Sequence, residues 1–303
     1  MLRFGIVTHG GVGTPSGWND GCDRAGKKGF HLLEGGESSL DAVQAATLYL
    51  EDDGRYNAGS GSGLRLDGKT MEMDAALMDS AGRIGAVAAI QAIRNPVRVA
   101  REVMDTPHML LAGEGATRFA RRRGVADSHP GPGKRARERF EKVRDILGER
   151  RFDELRASWR KFDLREHWNF GETYDEIFGH ADTVGAVALD REGNLAVANS
   201  TGGASPMLAG RVGDSPLPGC GFFAGPAAAV AATGLGEEII RRMISIRVYD
   251  EIQRGSPVGR SCREAVEWFP KEYSLGVIAI SRDGFGAANN RDMPWAKCLE
   301  DEK

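Results

Sequence analysis

Between Lys134 and Glu166 the chain places 12 Lys or Arg and 8 Asp or Glu within 33 residues, and no strand buried on both faces can carry that density of charge. The stretch divides the sequence into two apolar halves that must pack together across it. Its own apolar residues, Phe140, Val143, Leu147, Phe152, Leu155 and Trp159, recur at spacings that predict a solvated, weakly amphipathic helix. A mobile charged linker over about 128–180 is expected.

The first half opens with a buried strand, Leu2 to Thr8, that runs into a glycine turn at Gly10 to Gly13. A helix is expected from Ser38, where Leu40, Val43, Ala46 and Leu50 share a face and Ser38 with Asp41 resembles a capping box. After the loop Asp52 to Gly63, strands are expected over Lys69 to Met78 and Ala86 to Ile90, and Asn95-Pro96 opens a helix through Met104. In the second half, Val184 to Leu189 and Leu195 to Ser200 flank a turn at Asp190 to Asn194, a hairpin pattern. Ala227 to Ala232 is small and apolar, Glu237 to Tyr249 and Pro257 to Trp268 read as helices, and Leu275 to Ser281 with Phe285 to Asn290 form another hairpin. Hairpins and helices in blocks favour α+β layers with mostly antiparallel sheets over a parallel doubly wound sheet.

Composition removes several function classes. A net charge of −3 gives no electrostatic footprint for nucleic acid or an anionic membrane. The start, MLRFGIVTHGG, lacks the apolar core and cleavage site of a secretory signal, and no run of about 18 apolar residues follows, so a cytoplasmic protein is expected. Cys22, Cys220, Cys262 and Cys298 never form CxxC, and the six histidines never form HExxH, which argues against a side-chain metal site. The 41 glycines are about twice the usual share but follow no three-residue period, which excludes collagen. Gly11-Val-Gly13 imitates a dinucleotide-binding turn, yet Ser16 stands where the third glycine belongs. Gly234-Leu-Gly236 fails likewise, with Ile239 at that place and Glu237 and Glu238 set to repel a pyrophosphate. A nucleotide-dependent oxidoreductase stands as a distant alternative.

Glycine motifs bearing hydroxyls or charges cluster after the linker: Asp182-Thr183, Asn199-Ser200-Thr201-Gly202-Gly203, Gly210-Arg211 with Asp214-Ser215-Pro216, and Thr233-Gly234-Leu235-Gly236-Glu237. Singly, each has a plain structural account as a β-forming threonine, a turn or a surface ion pair. Together, and in order with His9-Gly10-Gly11-Val12-Gly13, Tyr56-Asn57-Ala58-Gly59 and Met73-Asp74-Ala75, they resemble the threonine N-terminal-nucleophile hydrolases of the plant-type asparaginase, isoaspartyl peptidase and glycosylasparaginase superfamily. The resemblance spans nearly the whole chain except the charged linker.

That resemblance implies a four-layer αββα sandwich and self-cleavage between Asp182 and Thr183 into 1–182 and 183–303. A threonine hydroxyl needs a base, and the α-amine released by cleavage, with a pKa of about 7.7 to 8.0, suits that task. Thr183 is then the implied nucleophile, Thr201 its hydrogen-bonded neighbour, and Thr233 with Gly234 the oxyanion donors. Arg211 is implied to grip a substrate α-carboxylate, Asp214 an α-ammonium, Gly236 to permit close approach, and Asn57 to order the site. Family members wrap a structural alkali-metal ion in backbone carbonyls along the segment matching Leu50 to Asn57, so a sodium ion is the one metal the resemblance admits; no other cofactor is expected. A small amino-acid-like substrate and a homodimer of cleaved αβ units complete the expectation. Asp182 before the nucleophile is common in glycosylasparaginases and the taspase branch, whereas the Gly202-Gly203 pair is typical of the asparaginase branch. Asparagine and β-aspartyl dipeptides are favoured, with glycosylated asparagine as the alternative substrate.

Overall fold

Both faces of the central strands are apolar, so each sheet needs cover on two sides. The computed structural model describes residues 2–148, 167, 169, 183–204 and 206–300. In chain order the first half supplies β1 (Gly5–His9), α1 (Asn19–Glu34), α2 (Ser39–Asp53), β2 (Glu72–Asp79), β3 (Ile84–Gln91), α3 (Pro96–Val103), β4 (Leu110–Ala112), α4 (Gly113–Arg123) and α5 (Lys134–Gly148). The second supplies β5 (Thr183–Leu189), β6 (Leu195–Thr201), β7 (Phe222–Ala224), β8 (Ala229–Gly234), α6 (Gly236–Arg242), α7 (Ile244–Gln253), α8 (Val258–Trp268), β9 (Leu275–Ser281), β10 (Gly284–Asn289) and β11 (Trp295–Leu299).

One sheet has the order β11-β1-β5-β6-β2-β3-β4 and the other β10-β9-β8-β7, so strands of both halves interleave in the larger sheet. Among the described pairs only β3 with β4 is parallel. Val7, Val187 and Val197 from the larger sheet meet Phe222, Ala231 and Ile278 from the smaller to fill the inner layer. The outer face of the larger sheet packs Ile6 and Val184 against Leu33, Leu50, Val97 and Ala116 of α1 to α4. The outer face of the smaller packs Val230 and Val277 against Val248 of α7 and Cys262 of α8. This is the expected α+β sandwich of helix, sheet, sheet and helix.

The predicted start of α2 is observed in detail: Ser38 Oγ accepts from Asp41 N at 3.2 Å and donates to Asp41 Oδ2 at 2.6 Å, and Leu40, Val43, Ala46 and Leu50 are buried. Besides β4, α4, β7 and β11, which the sequence does not mark, three features differ from expectation. The helical pattern from Glu237 to Tyr249 is broken at Met243, whose φ of +49° separates α6 from α7. The charged stretch begins as helix α5, as its spacing predicts, but that helix is docked rather than mobile. Phe140 lies against Gly68, Arg135 Nη1 donates to Arg55 O and stacks 4.3 Å from the Trp18 ring, and His129 Nε2 lies 2.8 Å from Gly59 O. The rest of the linker lies outside the described residues.

Helix α1 is the third difference: no helix is expected from a segment with Gly21, Gly26 and Gly29, because glycine lowers helix propensity by about 1 kcal/mol each. Packing explains them. A Cβ on Gly29 would strike Ile6 Cδ1 and come 2.7 Å from Ala42 O on the neighbouring α2. Gly29→Ala sets a propensity gain of about 1 kcal/mol against an overlap costing about 1–3 kcal/mol. We expect a lower melting temperature by thermal denaturation; a higher one would refute this account of the α1–α2 contact.

Candidate active site

Side chains alternate along a strand, and this places the predicted threonines. On β5, Val184, Ala186 and Ala188 face the helices, while Val187 and Leu189 face the second sheet; Thr183 has the parity of the latter. Thr201 shares parity with Leu195 and Val197 on β6, and Thr233 with Ala229 and Ala231 on β8. All three hydroxyls therefore belong to the inner layer, at one end of it. Thr183 stands opposite Thr201 in the β5–β6 ladder.

Thr183 Oγ1 donates to Thr201 Oγ1 at 3.1 Å and lies 3.3 Å from Ser215 Oγ. The Thr201 hydroxyl is held in turn, accepting from Gly203 N at 3.0 Å and from Asn57 Nδ2 at 3.3 Å. Asn57 is fixed by its amide, which donates to Gly203 O at 3.0 Å and accepts from Gly63 N at 2.9 Å. At Gly202 a Cβ would come 2.6 Å from Asn57 Oδ1, which explains the first glycine of the pair.

Arg211, Asp214, Gly234 and Gly236 line the same cleft as Thr183 and Thr201. A Cβ on Gly236 would come 2.8 Å from Arg211 Nη2 and 2.9 Å from Asp214 Oδ1, so this glycine leaves the space between cation and carboxylate. Arg211 is not paired with Asp214. It donates from Nε and Nη2 to both carboxylate oxygens of Glu237, each at 2.9 Å, a bidentate fork. Asp214 is buried, its Oδ2 meets no hydrogen-bond partner among the described residues, and burial pushes its pKa up to about 7 against the pull of Arg211. Thr233 does not line the cleft itself. Its Oγ1 accepts from Val12 N at 3.4 Å, which leaves its own O–H to donate.

The cleft holds about 10 Å³. It adjoins a hollow of about 510 Å³ that shares Ala204 and Arg211 and is walled by Met207, Leu235 and Tyr273. Asp182 lies outside the described residues. Ser215 is the site residue that sequence reasoning missed; the signal was its place directly after Asp214, but Gly-Asp-Ser-Pro reads equally well as a turn.

The oxidoreductase alternative is overturned by topology. β1 lies between antiparallel β5 and β11, so no parallel βαβ unit follows the Gly11-Val12-Gly13 turn. The loop after α2 has the oxygen chemistry an alkali ion requires. A Cβ on Gly61 would strike the carbonyl oxygens of Tyr56 and Gly54, and one on Gly59 would come 2.7 Å from Glu51 O, so backbone oxygens converge on the loop interior.

The layered αββα arrangement, with a buried threonine at the start of a central strand, is consistent with the fold of the N-terminal-nucleophile hydrolases. A model of the asparaginase family matches residues 8–302, and the chain belongs to that family of amidohydrolases. A plant-type L-asparaginase of Pyrobaculum calidifontis is 41% identical over 277 residues, covering 88% of this chain and 85% of that one. The isoaspartyl peptidase/L-asparaginase of Homo sapiens is 36% identical over 304 residues, covering 96% and 92%. A plant-type L-asparaginase of Pyrococcus furiosus is 37% identical over 311 residues, covering 98% and 97%.

The two hydroxyls beside Thr183 are not equally constrained. Thr201 is oriented by a backbone N–H and a fixed amide, whereas Ser215 is a neutral hydroxyl contact worth about 0.5–1.5 kcal/mol. Ser215→Ala should slow amide hydrolysis by about tenfold at most, and Thr201→Ala by more. Steady-state rates of the two variants decide it, and a larger loss at Ser215 would reverse the order of importance.

Proposed function

We propose that the protein hydrolyses the side-chain amide of L-asparagine and the β-aspartyl bond of isoaspartyl dipeptides, with Thr183 as an N-terminal nucleophile generated by self-cleavage after Asp182. One observation carries this reading: the Thr183 hydroxyl, bonded to Thr201, shares a small cleft with a partly buried guanidinium and a buried carboxylate. An amino acid presents the complementary pair of charges. The names of the relatives, asparaginase and isoaspartyl peptidase, support the same substrates.

In the precursor the Thr183 hydroxyl attacks the Asp182 carbonyl, the acyl group passes from nitrogen to oxygen, and water hydrolyses the ester. This leaves a free α-amine on Thr183. In the mature enzyme that amine takes the hydroxyl proton while Oγ1 attacks the substrate amide carbon. The Thr233 hydroxyl and the backbone at Gly234 meet the oxyanion, a role in which one donor is worth about 10²–10³ in rate. The amine then protonates the departing ammonia or amino acid, and activated by the same amine, water cleaves the aspartyl ester. Arg211 receives the α-carboxylate in place of Glu237, and Asp214 receives the α-ammonium. A sodium ion, held by carbonyls of Glu51, Gly54 and Tyr56, would stiffen the loop that carries Asn57.

The working form in this reading is a cytoplasmic homodimer of cleaved αβ units. No disulfide forms among the described residues, and Cys22, Cys220 and Cys262 are buried, which suits a reducing compartment. No helix among the described residues is long and apolar enough to cross a membrane.

Intact-mass measurement should find fragments 1–182 and 183–303 in the purified protein and only full-length chain in Thr183→Ala. Ammonia release from asparagine, amino-acid release from β-aspartyl dipeptides and amino-sugar release from N-acetylglucosaminyl-asparagine then rank the substrates. Hydrolysis by Thr183→Ala would sink the nucleophile assignment, and preference for the glycosylated substrate would replace the substrate assignment.

Asp214 adds a pH test. Its raised pKa of about 7 means the carboxyl is largely neutral below that pH and ionised above it, and only the ionised form attracts an ammonium. Inhibition by L-aspartate should therefore tighten severalfold between about pH 6 and about pH 8. Succinate, which lacks the ammonium, should show no tightening. Parallel inhibition profiles for the two would exclude Asp214 as the ammonium partner.

A further inference from the structure

Arg65 takes part in none of these steps, yet its side chain has no exposed surface. It sits behind the cleft, opposite Glu72 at the start of β2. Its Nε donates to Glu72 Oε2 at 2.8 Å, its Nη1 to Gly202 O at 3.3 Å and to Met207 Sδ, and its Nη2 to Arg211 O at 3.4 Å. Glu72 extends the grip, since its Oε2 also accepts from Gly210 N at 2.7 Å and its Oε1 from Gln91 Nε2 at 3.2 Å. The pair thus holds both ends of the connection that leaves β6 after Thr201 and delivers Arg211. Gly203, with φ +84°, makes room for it: a Cβ there would come 2.8 Å from Arg65 Nη1.

Stability alone is a poor reason for this arrangement. Taking two charges out of water costs about as much as their attraction returns, and apolar residues of similar volume usually serve a core equally well. What an apolar pair cannot do is donate to two main-chain carbonyls and accept from a main-chain N–H at fixed angles. Described residues 202–221 contain no helix or strand, so the backbone of Arg211 has no ladder to hold it. Buried Asp74, paired with Thr201 in the sheet, lies within electrostatic reach of both guanidiniums.

We propose that the Arg65–Glu72 pair is a positioning clamp that fixes the 202–211 connection so that Arg211 faces the substrate carboxylate, and that it thereby sets selectivity for amides carrying that carboxylate. The proposal rests on the assignment of Arg211 made above. Arg65 touches no reacting atom, and its effect reaches the substrate through Arg211. Loosening the clamp therefore weakens recognition of the α-carboxylate and leaves the chemistry at Thr183 in place.

The test compares asparagine with 3-aminopropanamide, which is asparagine without its α-carboxylate, as the ratio of their kcat/KM values. That ratio cancels the fraction of chain that has matured. Two variants are needed. Arg65→Met with Glu72→Gln removes both charges at nearly constant volume, so no lone charge stays buried. Arg65→Lys keeps the charge beside Glu72, but one ammonium cannot span both carbonyls. In each, the ratio should fall about tenfold or more, with KM for asparagine rising and kcat changing less, while circular dichroism stays that of the parent. A ratio within twofold of the parent in a folded variant overturns the clamp, and if the double variant does not fold, Arg65→Lys alone decides. Folded Arg65→Lys with no turnover of either amide overturns it too, because that places Arg65 behind the nucleophile. An inactive parent enzyme would instead sink the proposed function itself.

Discussion

The register of β5 against β6 is the constraint on which the site depends. Over seven paired positions, from Thr183 opposite Thr201 to Leu189 opposite Leu195, one parity faces the helices and the other the second sheet. A slip of one residue would invert every side chain on one strand. Val187 and Leu189, or Leu195 and Val197, would then enter the helix-facing layer, which is packed around smaller residues such as Ala186, Ala188, Ala196 and Ala198, at an overpacking cost of about 1–3 kcal/mol. The hydrogen bond between the two threonines is worth only about 0.5–1.5 kcal/mol. The hydroxyls meet because apolar burial along the strands leaves them no alternative.

Around that fixed pair the charged groups are gathered on one side. His9 lies on the same inner face, but burial pushes its pKa down to about 3 and Gly11 N donates to its Nδ1 at 3.2 Å, so it is a neutral structural group. Arg65, Glu72, Asp74, Arg211 and Asp214, by contrast, are all buried or nearly so around the connection between β6 and β7, where the backbone makes few ladder bonds of its own. Glycines let these groups approach: Gly202 admits Asn57, Gly203 admits Arg65, and Gly236 admits Arg211 and Asp214. Much of the glycine excess is thus explained by close approach of side chains to backbone as well as by turns.

Where local chemistry decides structure, the residues were readable. Ser38 with Asp41, the alternation of β5 and β6, and the turn at Asp190 each carry their own signal in adjacent residues, and the family motifs brought Thr183, Thr201, Arg211, Asp214, Gly234 and Gly236 to one cleft. The unread features depend on partners distant in sequence. Gly29 is helical because Ile6 and Ala42 lie against it, and α5 is docked because Gly68, Arg55 and Trp18 lie beneath it. Arg65, next to the Asp67-Gly68 turn, carries no signal of its own in the sequence; its role depends on Glu72, Gly202 and Arg211, which are distant in sequence or hidden until the fold places them. Glu237 reads as a helix-start acid, although its carboxylate occupies the fork of Arg211.

That last contact bears on how the proposed substrate would be recognised. Arg211 already holds a carboxylate through two bonds of 2.9 Å, and Glu237 is about half exposed, so its own carboxylate can return to water when displaced. Binding an α-carboxylate then exchanges one charge-assisted pair for another, and the net gain in affinity is small compared with filling an unpaired buried cation. The geometric requirement is not reduced by the exchange. A ligand without a carboxylate leaves Glu237 in the fork and docks without that anchor, so its amide is less well placed against Thr183. The fork therefore acts on how an amide is placed more than on how tightly it is held.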